Sequence, residues 1–265
     1  MPTQTLDSEG YILNPCKVTL ISPRFKILLQ ATLTQLQARF ADLHSVYLYG
    51  SIARGEAVPY RSDLDISVIF EHPVTEAHRQ KLDTLAQKIA QDHPVITKVD
   101  FDPGGLAEVL QATEHYRWHF WLRHCCCCIW GNDLGAQFPR QKPHPAIAAE
   151  FAKDLRTQID AARTDLSSQN VKVKGRSIAK KLIRTAYGRV AAQDNSWYQK
   201  IEDCAETVLR YDPEQREFMA SALAVVNRQS SSVEQVTALI NGYGQWLLHT
   251  AKNASSQSCL LIDDL

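Results

Sequence analysis

The chain has 265 residues, its 29 lysines and arginines balance its 29 aspartates and glutamates, and 45% of its residues are hydrophobic. This length predicts one large or two modest domains, and the apolar fraction excludes a disordered chain. Because the net charge is zero, a protein that mainly coats nucleic acid is not expected, nor is stable nucleic-acid binding. No apolar run reaches the ~20 residues that span a bilayer, and the N-terminus lacks the features of a signal peptide.

The first half of the sequence alternates between helix and strand patterns. A glycine ends the first strand, and Pro103-Gly104-Gly105 predicts a break that starts another helix. The predicted elements are a helix over 23–42, a strand over 44–50, a strand over 64–70, a helix over 75–91 and a strand over 95–101. This order predicts an α/β (α+β) domain with a small mixed sheet over residues 1–140.

Strand patterns stop after Gly131, and three prolines within 137–145 indicate a linker. Amphipathic helices are predicted over 145–166, 174–193, 197–210, 213–227 and 232–251. The second half is therefore expected to be an all-α helical bundle domain over residues 141–265.

The cysteines and histidines have a structural explanation. Seven cysteines, an odd number, in a chain without an export signal predict reduced thiols and a cytoplasmic protein. The run Cys125 to Cys128 cannot converge on one tetrahedral ion, so packed thiols are expected rather than zinc. The histidines between His115 and His124 alternate with aromatic residues, which favours a packed helix over a zinc helix.

A basic stretch stands out in the helical half. From Val171 to Arg189 the sequence holds seven basic residues and no acidic one. Arg176, Lys180 and Arg184 are spaced i, i+4, i+8 and therefore share one helix face. That face is either a solvated surface or a site for an anionic ligand.

The pair Asp63 and Asp65 is the first candidate for chemistry. The two residues are two apart at the start of a predicted strand, so both side chains point to the same face. Two carboxylates at one place repel each other unless a cation lies between them, and Mg²⁺ with phosphate oxygens suits that position. A strand end carrying two solvated acids is the alternative.

Gly50-Ser51 lies upstream of this pair, at the end of the preceding strand. Glycine allows a tight turn and a close approach to a ligand, and a helix that starts after Ser51 would offer free N–H groups to a phosphate. Arg54 follows in the intervening loop. A phosphate site and a metal-binding carboxylate pair are therefore predicted on adjacent strands.

The segment LYGSIARGEAVPYRSDLDISVIF resembles the signature of the nucleotidyltransferase superfamily, which has the polymerase-β-like fold. A small α/β domain followed by a helical domain is similar to bacterial aminoglycoside nucleotidyltransferases of the streptomycin/spectinomycin type. The resemblance implies an enzyme that transfers a nucleoside monophosphate, expected to be AMP from ATP, to a hydroxyl of a small molecule such as an aminoglycoside, with release of pyrophosphate.

The same resemblance implies roles for individual residues. Asp63 and Asp65 would hold two Mg²⁺ ions together with a third carboxylate, for which Asp100 is the candidate and Asp102, on the same face, the alternate. Asp100 would hold the second ion or help to deprotonate the acceptor. The nucleotide would be bound by Gly50 and Ser51 at its β and γ phosphates, and by Arg54, Lys180, Lys181 and Arg184.

A second hypothesis belongs to another class of protein. A catalytically weak relative could bind nucleotide or a partner protein as a regulatory or antitoxin-like module. The intact Gly-Ser and the carboxylate set favour the enzyme, because a pure binding protein does not need a metal-binding pair. The fused toxin of such systems is not expected, since no histidine follows Arg184 or Arg189 at the spacing of its Arg-x4–6-His motif.

Overall fold

The structure is a computed structural model, and it describes residues 5–227 and 232–249. The chain divides into two compact units. One unit is Tyr11–Lys142, and the other combines residues 5–10 with the described residues from Pro143 onward. Each unit contains a hydrophobic core of its own.

The α/β unit contains four strands and six α-helices among the described residues. In chain order they are α1 (Pro23–Arg39), β1 (Leu43–Tyr49), α2 (Gly50–Ala53), β2 (Leu64–Phe70), α3 (Glu76–Asp92), β3 (Val99–Gly105), α4 (Leu106–Val109), α5 (Phe120–His124), β4 (Cys127–Gly131) and α6 (Leu134–Gln137). Short 3-10 helices cover Val18–Leu20 and Ala112–Glu114, and a π-helical turn covers His115–His119.

The four strands form one mixed sheet in the order β3-β2-β1-β4. Strand β1 is antiparallel to both β2 and β4, whereas β2 and β3 are parallel. The small mixed sheet that the sequence predicts is confirmed, and β2 has the predicted bounds.

Side chains alternate between the two faces of this sheet, as they must along extended strands. Val46 and Ile66 face the core that α1 and α3 cover. Tyr47 and Ile69 face the opposite way and pack with Trp118 from the segment after β3. Asp65 comes four residues before Ile69 in β2, so the two side chains point to the same face. The carboxylates therefore lie on this second face.

The third strand departs from the prediction at both ends. It starts at Val99 because residues 95–97 bond instead to the loop before β2, where Tyr60 N–H donates to Val95 O and Thr97 N–H donates to Ser62 O. It runs through Pro103-Gly104-Gly105, so the predicted break is wrong there. A proline is tolerated because β3 is an edge strand.

Packing also explains why glycine follows that proline. A β-carbon at Gly104 would come within 2.7 Å of the Trp118 ring, so this close approach needs glycine. The helix expected directly after the break is the single turn α4.

The two ends of the α/β unit lie together. Ile12 N–H donates to Gln141 O at 2.9 Å. The buried ring of His124 joins both ends, with Nδ1 2.8 Å from Ile12 O and Nε2 2.9 Å from Gln141 N. Since a carbonyl only accepts and an amide N–H only donates, this ring is neutral with its proton on Nδ1.

The helical unit consists of α7 (Pro145–Ala152), α8 (Leu155–Asp165), α9 (Val171–Ala191), α10 (Ile201–Tyr211), α11 (Arg216–Val226) and α12 (Val233–Leu239), which continues through a π-helical turn at Ile240–Gly244 into helical residues 245–249. The helix predicted over 145–166 is two helices, and Lys181 Nζ donates to Phe151 O where the first one ends. Residues 250 and 251 of the last predicted helix lie outside the described residues.

Helix α9 lies at the centre of this unit and contacts its other helices. Its apolar face, with Ile178, Leu182 and Ile183, is buried. Over 5–227 and 232–249 no helix is long and apolar enough to cross a membrane.

Candidate active site

The turn between β1 and α2 brings Gly50 against the carboxylate of Asp65. Tyr49, the last residue of β1, pairs with Asp65 in the sheet, and the chain then turns at Gly50 with φ of +72°. A β-carbon built on Gly50 would lie 1.9 Å from Asp65 Oδ2. Glycine is required twice here, once for the left-handed backbone conformation and once for the space that the carboxylate takes.

The carboxylates meet because of the strand register. Asp65 in β2 lies directly opposite Asp100 in the parallel strand β3. Asp63 comes two residues before Asp65, immediately before β2, and faces the same side. The structure therefore brings Asp63, Asp65 and Asp100 together at one end of the sheet; we call these three residues the carboxylate cluster.

Thr97 and Lys98, which immediately precede β3, hold Asp63 in the carboxylate cluster. The Thr97 hydroxyl donates to Asp63 Oδ1, and Lys98 Nζ lies 3.9 Å from Asp63 Oδ2. Lys98 Nζ also donates to Asp100 Oδ2. Partial burial lowers the pKa of Lys98, but its hydrogen bond to Asp100 and the neighbouring carboxylates outweigh that effect and raise the pKa above its usual value.

The cluster makes ionisation of Asp65 unfavourable. Burial, followed by the charges of Asp100 and Asp63, raises the pKa of Asp65 to about 7. The positive charges of Lys98 and Arg54 act in the opposite direction but do not cancel this effect. A bound cation would remove the repulsion, because it favours the ionised form of each carboxylate.

Arg54 and Ser51 lie on or beside the short helix α2. The helix expected after Ser51 is a single turn that starts at Gly50. Arg54, which follows this turn, is largely buried, with 21% of its side chain exposed, and its Nε donates to Glu56 Oε2 at 2.9 Å. Its guanidinium is near enough to Asp65 to oppose the rise in the pKa of that carboxyl.

Asp102 occupies a different position from Asp100. It pairs with Ser67 of β2, two residues further along both strands than the pair of Asp65 and Asp100. Its Oδ2 accepts a hydrogen bond of 2.6 Å from Tyr49 Oη. Of the two candidates for the third carboxylate, Asp100 is thus the one beside Asp65, while Asp102 is engaged by the tyrosine.

The basic residues of α9 belong to the helical unit, where their side chains differ in environment. Lys181 Nζ donates to Phe151 O at 2.6 Å and to Asp154 Oδ1, and only 18% of its side chain is exposed. Arg176 Nε donates to Val226 O at 3.1 Å. Lys180 is half-buried and Arg184 is exposed. Lys181 therefore has an internal role in joining α7 to α9.

The sequence pattern did not single out Thr97, Lys98 or Tyr49. The sequence does contain a signal for Lys98. Lys98, Asp100 and Asp102 are spaced two residues apart, so their side chains share one face if residues 98–102 are extended. The contacts of Thr97 and Tyr49 depend on the register between strands, which a single strand pattern does not contain.

The carboxylate cluster fits a divalent metal through its donors. Within the part of the chain that the structure describes, no three His, Cys, Asp or Glu side chains are already arranged to hold a metal ion. Mg²⁺ does not need such an arrangement, because it usually binds one or two carboxylates together with water and substrate phosphates. The observation that favours a cation here is the position of Asp65 directly opposite Asp100 and two residues after Asp63.

Among the described residues, the cysteines are packed thiols and are separate from the carboxylate cluster. Burial raises the pKa of Cys16 and Cys128 to about 11 and that of Cys127 to about 12, so these thiols stay protonated at neutral pH. Cys126 is fully enclosed, and its pKa rises for the same reason. The six described cysteines are free, as expected for packed thiols; Cys259 lies outside the described residues.

Comparisons with known proteins agree with this geometry. The model of the nucleotidyltransferase domain family matches residues 29–104, which contain the whole carboxylate cluster and Gly50-Ser51. A search of curated protein sequences found no match.

The solved structures that match the chain include an adenyltransferase and a toxin-antitoxin complex. Spectinomycin adenyltransferase AAD(9) from Enterococcus faecialis, crystallised with ATP and spectinomycin, aligns with a TM-score of 0.51 and 16% identity over 84% of this chain and 96% of its own. A toxin-antitoxin crystal structure with AMP-PNP aligns with a TM-score of only 0.29 and 18% identity, over 51% of this chain and 98% of its own. The first likeness shows that the two proteins share a fold.

The family match covers three of the four strands, β1, β2 and all but the last residue of β3. These strands and the residues just before β2 carry the carboxylate cluster. The α/β unit therefore carries a nucleotidyltransferase domain, which the family model matches over residues 29–104.

Proposed function

We propose that this protein is a Mg²⁺-dependent nucleotidyltransferase that transfers AMP from ATP to a hydroxyl of a small molecule and releases pyrophosphate. The observation that carries the proposal is the position of Asp65 in β2, which lies between Gly50, the residue directly after β1, and Asp100 in β3. ATP and a small acceptor are proposed because a structure of the same fold was determined with ATP and spectinomycin.

Different residues of the α/β unit would bind the metal ion and the phosphates of the nucleotide. Asp63 and Asp65 would hold Mg²⁺, with Asp100 as the third carboxylate. When bound, the metal supplies positive charge that stabilises the negative charge building up on the phosphates. Gly50 and Ser51 would bind the β and γ phosphates, since the first N–H groups of a helical turn lack partners within that turn.

Asp100 would also take the proton of the acceptor. The acceptor hydroxyl loses its proton to this carboxylate, its oxygen forms a bond to the α-phosphorus, and the bond from that phosphorus to the bridging oxygen breaks as pyrophosphate leaves. Proton transfer to a positioned carboxylate contributes about 10²–10⁴-fold to such a rate. The predicted contributions of Arg54, Lys180, Lys181 and Arg184 to nucleotide binding remain predictions.

Calorimetric titration tests the proposal. ATP, CTP, GTP and UTP are titrated into wild type and into the double variant Asp63→Asn/Asp65→Asn, with and without Mg²⁺, and Asp83→Asn on the exposed side of α3 is the matched control. We expect ATP to bind in the presence of Mg²⁺, the double variant to lose this binding, and the control to keep it. No binding of any nucleotide to wild type would overturn the proposal.

Turnover is measured next as pyrophosphate release, with spectinomycin as the first acceptor and other hydroxylated small molecules after it. Release that depends on both the acceptor and Asp63 and Asp65 supports the enzyme. Nucleotide binding without release across the acceptor set would instead favour the regulatory or antitoxin-like alternative.

A further inference from the structure

Lys98 places an ammonium group within the carboxylate cluster. Its Nζ donates to Asp100 Oδ2 and lies 3.9 Å from Asp63 Oδ2. These are two of the three carboxylates proposed to hold the metal. A protein cation therefore contacts the same oxygens that a divalent cation would use.

Lys98 is the main internal counter-charge of the cluster. Besides Lys98, the positive charge that acts on Asp65 is that of Arg54. Arg54 is itself paired with Glu56 at 2.9 Å, which offsets part of its charge. Lys98 contacts two of the three carboxylates directly, whereas Arg54 acts on Asp65 through space.

The side chain of Lys98 can leave while its backbone stays in place. Leu64 N–H donates to Lys98 O at 2.9 Å, which fixes the main chain beside β2. The side chain is 49% exposed, and a lysine ammonium is carried on a flexible four-carbon stem. The ammonium can thus move into water without any change in the strands.

We propose that Lys98 is an internal competitor of the metal ion, a positioning residue whose ammonium holds the carboxylate cluster together until a divalent cation displaces it. This inference rests on the proposed function, because it concerns the metal site of that reaction. Its consequence is that the divalent cation alone binds weakly, so that stable binding needs the additional oxygens of the nucleotide.

Titration of Mn²⁺ alone, followed by calorimetry and by the loss of the free-ion paramagnetic resonance signal, tests the competition. We expect Lys98→Met and Lys98→Gln to bind Mn²⁺ roughly three- to tenfold more tightly than wild type, the effect of one unit charge about 4 Å away in a partly solvated site. Lys98→Arg keeps a cation and should stay near wild type. Lys88→Met, which removes an equally exposed lysine paired with Asp92, is the matched control.

A second measurement uses the unaltered protein. Acetic anhydride acylates the free amine of a lysine, and mass spectrometry reports the extent at each site. Mn²⁺ should increase acylation of Lys98 and leave that of Lys88 unchanged, because the displaced ammonium loses its carboxylate partners.

The outcomes separate this inference from the function on which it rests. Equal or weaker Mn²⁺ binding by the two neutral Lys98 variants, or acylation of Lys98 that Mn²⁺ does not increase, would overturn the competition while leaving the metal site intact. If wild type and variants bind no Mn²⁺ even with ATP present, the proposed function fails as well.

Discussion

The α-carbon of Gly50 lies against the carboxylate of Asp65, with Oδ2 only 1.9 Å from the place where a β-carbon would be. The turn that is proposed to bind phosphate and the carboxylate that is proposed to bind metal are therefore in van der Waals contact. Any side chain at position 50 would therefore collide with the carboxylate of Asp65.

The first prediction concerns this contact. Gly50→Ala should raise the Kd for ATP in the presence of Mg²⁺ at least tenfold, because the methyl group pushes Asp65 out of the cluster. It should also lower the free energy of unfolding by roughly 1–2 kcal/mol for the left-handed backbone alone. Calorimetry and urea unfolding measure the two effects.

Gly10→Ala is the matched control, since Gly10 has φ of +82° and lies in the other unit. It should lose similar stability and keep its ATP affinity. Equal loss of affinity in both variants would mean that backbone strain, rather than displacement of Asp65, is responsible.

The second prediction concerns Asp65 and pH. Its pKa is raised to about 7, so between pH 4 and 7 the folded protein keeps a proton that the unfolded chain has released. The free energy of unfolding therefore falls as pH rises through this range. Asp65→Asn removes that loss and should be more stable than wild type at pH 8 by up to about 4 kcal/mol.

The measurement is urea unfolding at pH 4.5 and pH 8 in the presence of EDTA. The stability difference between the variant and wild type should be small at pH 4.5 and large at pH 8. Asp83→Asn, on the exposed side of α3, should show no such change. A variant equally stabilised at both pH values would contradict the electrostatic explanation.

The third prediction concerns acid stability. Burial, together with the charges of Arg123 and Arg140, lowers the pKa of His124 to about 4. Between pH 6.5 and 4 the unfolded chain takes up a proton that the folded protein does not, so stability falls as the pH decreases. The loss should reach up to about 3 kcal/mol, because each pKa unit corresponds to about 1.4 kcal/mol.

His124→Gln should flatten this dependence and cost stability at pH 7.5, where both hydrogen bonds of the ring are intact in wild type. His72→Gln, at an exposed position, is the control. Unfolding curves at pH 5 and 7.5 that shift equally in wild type and His124→Gln would contradict the role given to this ring.

The fourth prediction separates two neighbours on α9. Lys181→Met should lower the free energy of unfolding by about 1–3 kcal/mol, because it removes charge-assisted hydrogen bonds to Phe151 O and Asp154. Because Arg184 is exposed, Arg184→Ala should have a smaller effect on stability. It should weaken ATP binding, as the predicted nucleotide contact requires. Thermal unfolding and calorimetry on both variants distinguish support of the fold from ligand binding; unchanged ATP binding in Arg184→Ala would assign that residue to the surface.

Strong local patterns predicted most of the α/β unit. The apolar run of β2 marked both of its ends, and period-two alternation was enough to place Asp63 and Asp65 on one face. These two predictions depend only on neighbours in the sequence, which is why the structure agrees with them. The choice of Asp100 as the third carboxylate came instead from the resemblance to the nucleotidyltransferase superfamily.

The remaining features depend on partners far away in the chain. Pro103-Gly104-Gly105 has the composition of a break, but edge pairing with β2 and contact with Trp118 keep it in the sheet. The hydrogen bonds of Thr97 and Tyr49 to Asp63 and Asp102 need the register between strands. A single sequence does not supply that register.

The junction at Ile12 and Gln141 also has a consequence for engineering. Because the α/β unit is one uninterrupted stretch whose two ends are hydrogen-bonded to each other, it has the form of a cassette inserted into a host chain. Such a cassette can be excised with its ends already side by side, circularised through a short link, or transplanted into a loop of another scaffold. The unit that carries the nucleotidyltransferase domain is thereby one continuous module, whereas the helical unit is assembled from two separate stretches of sequence.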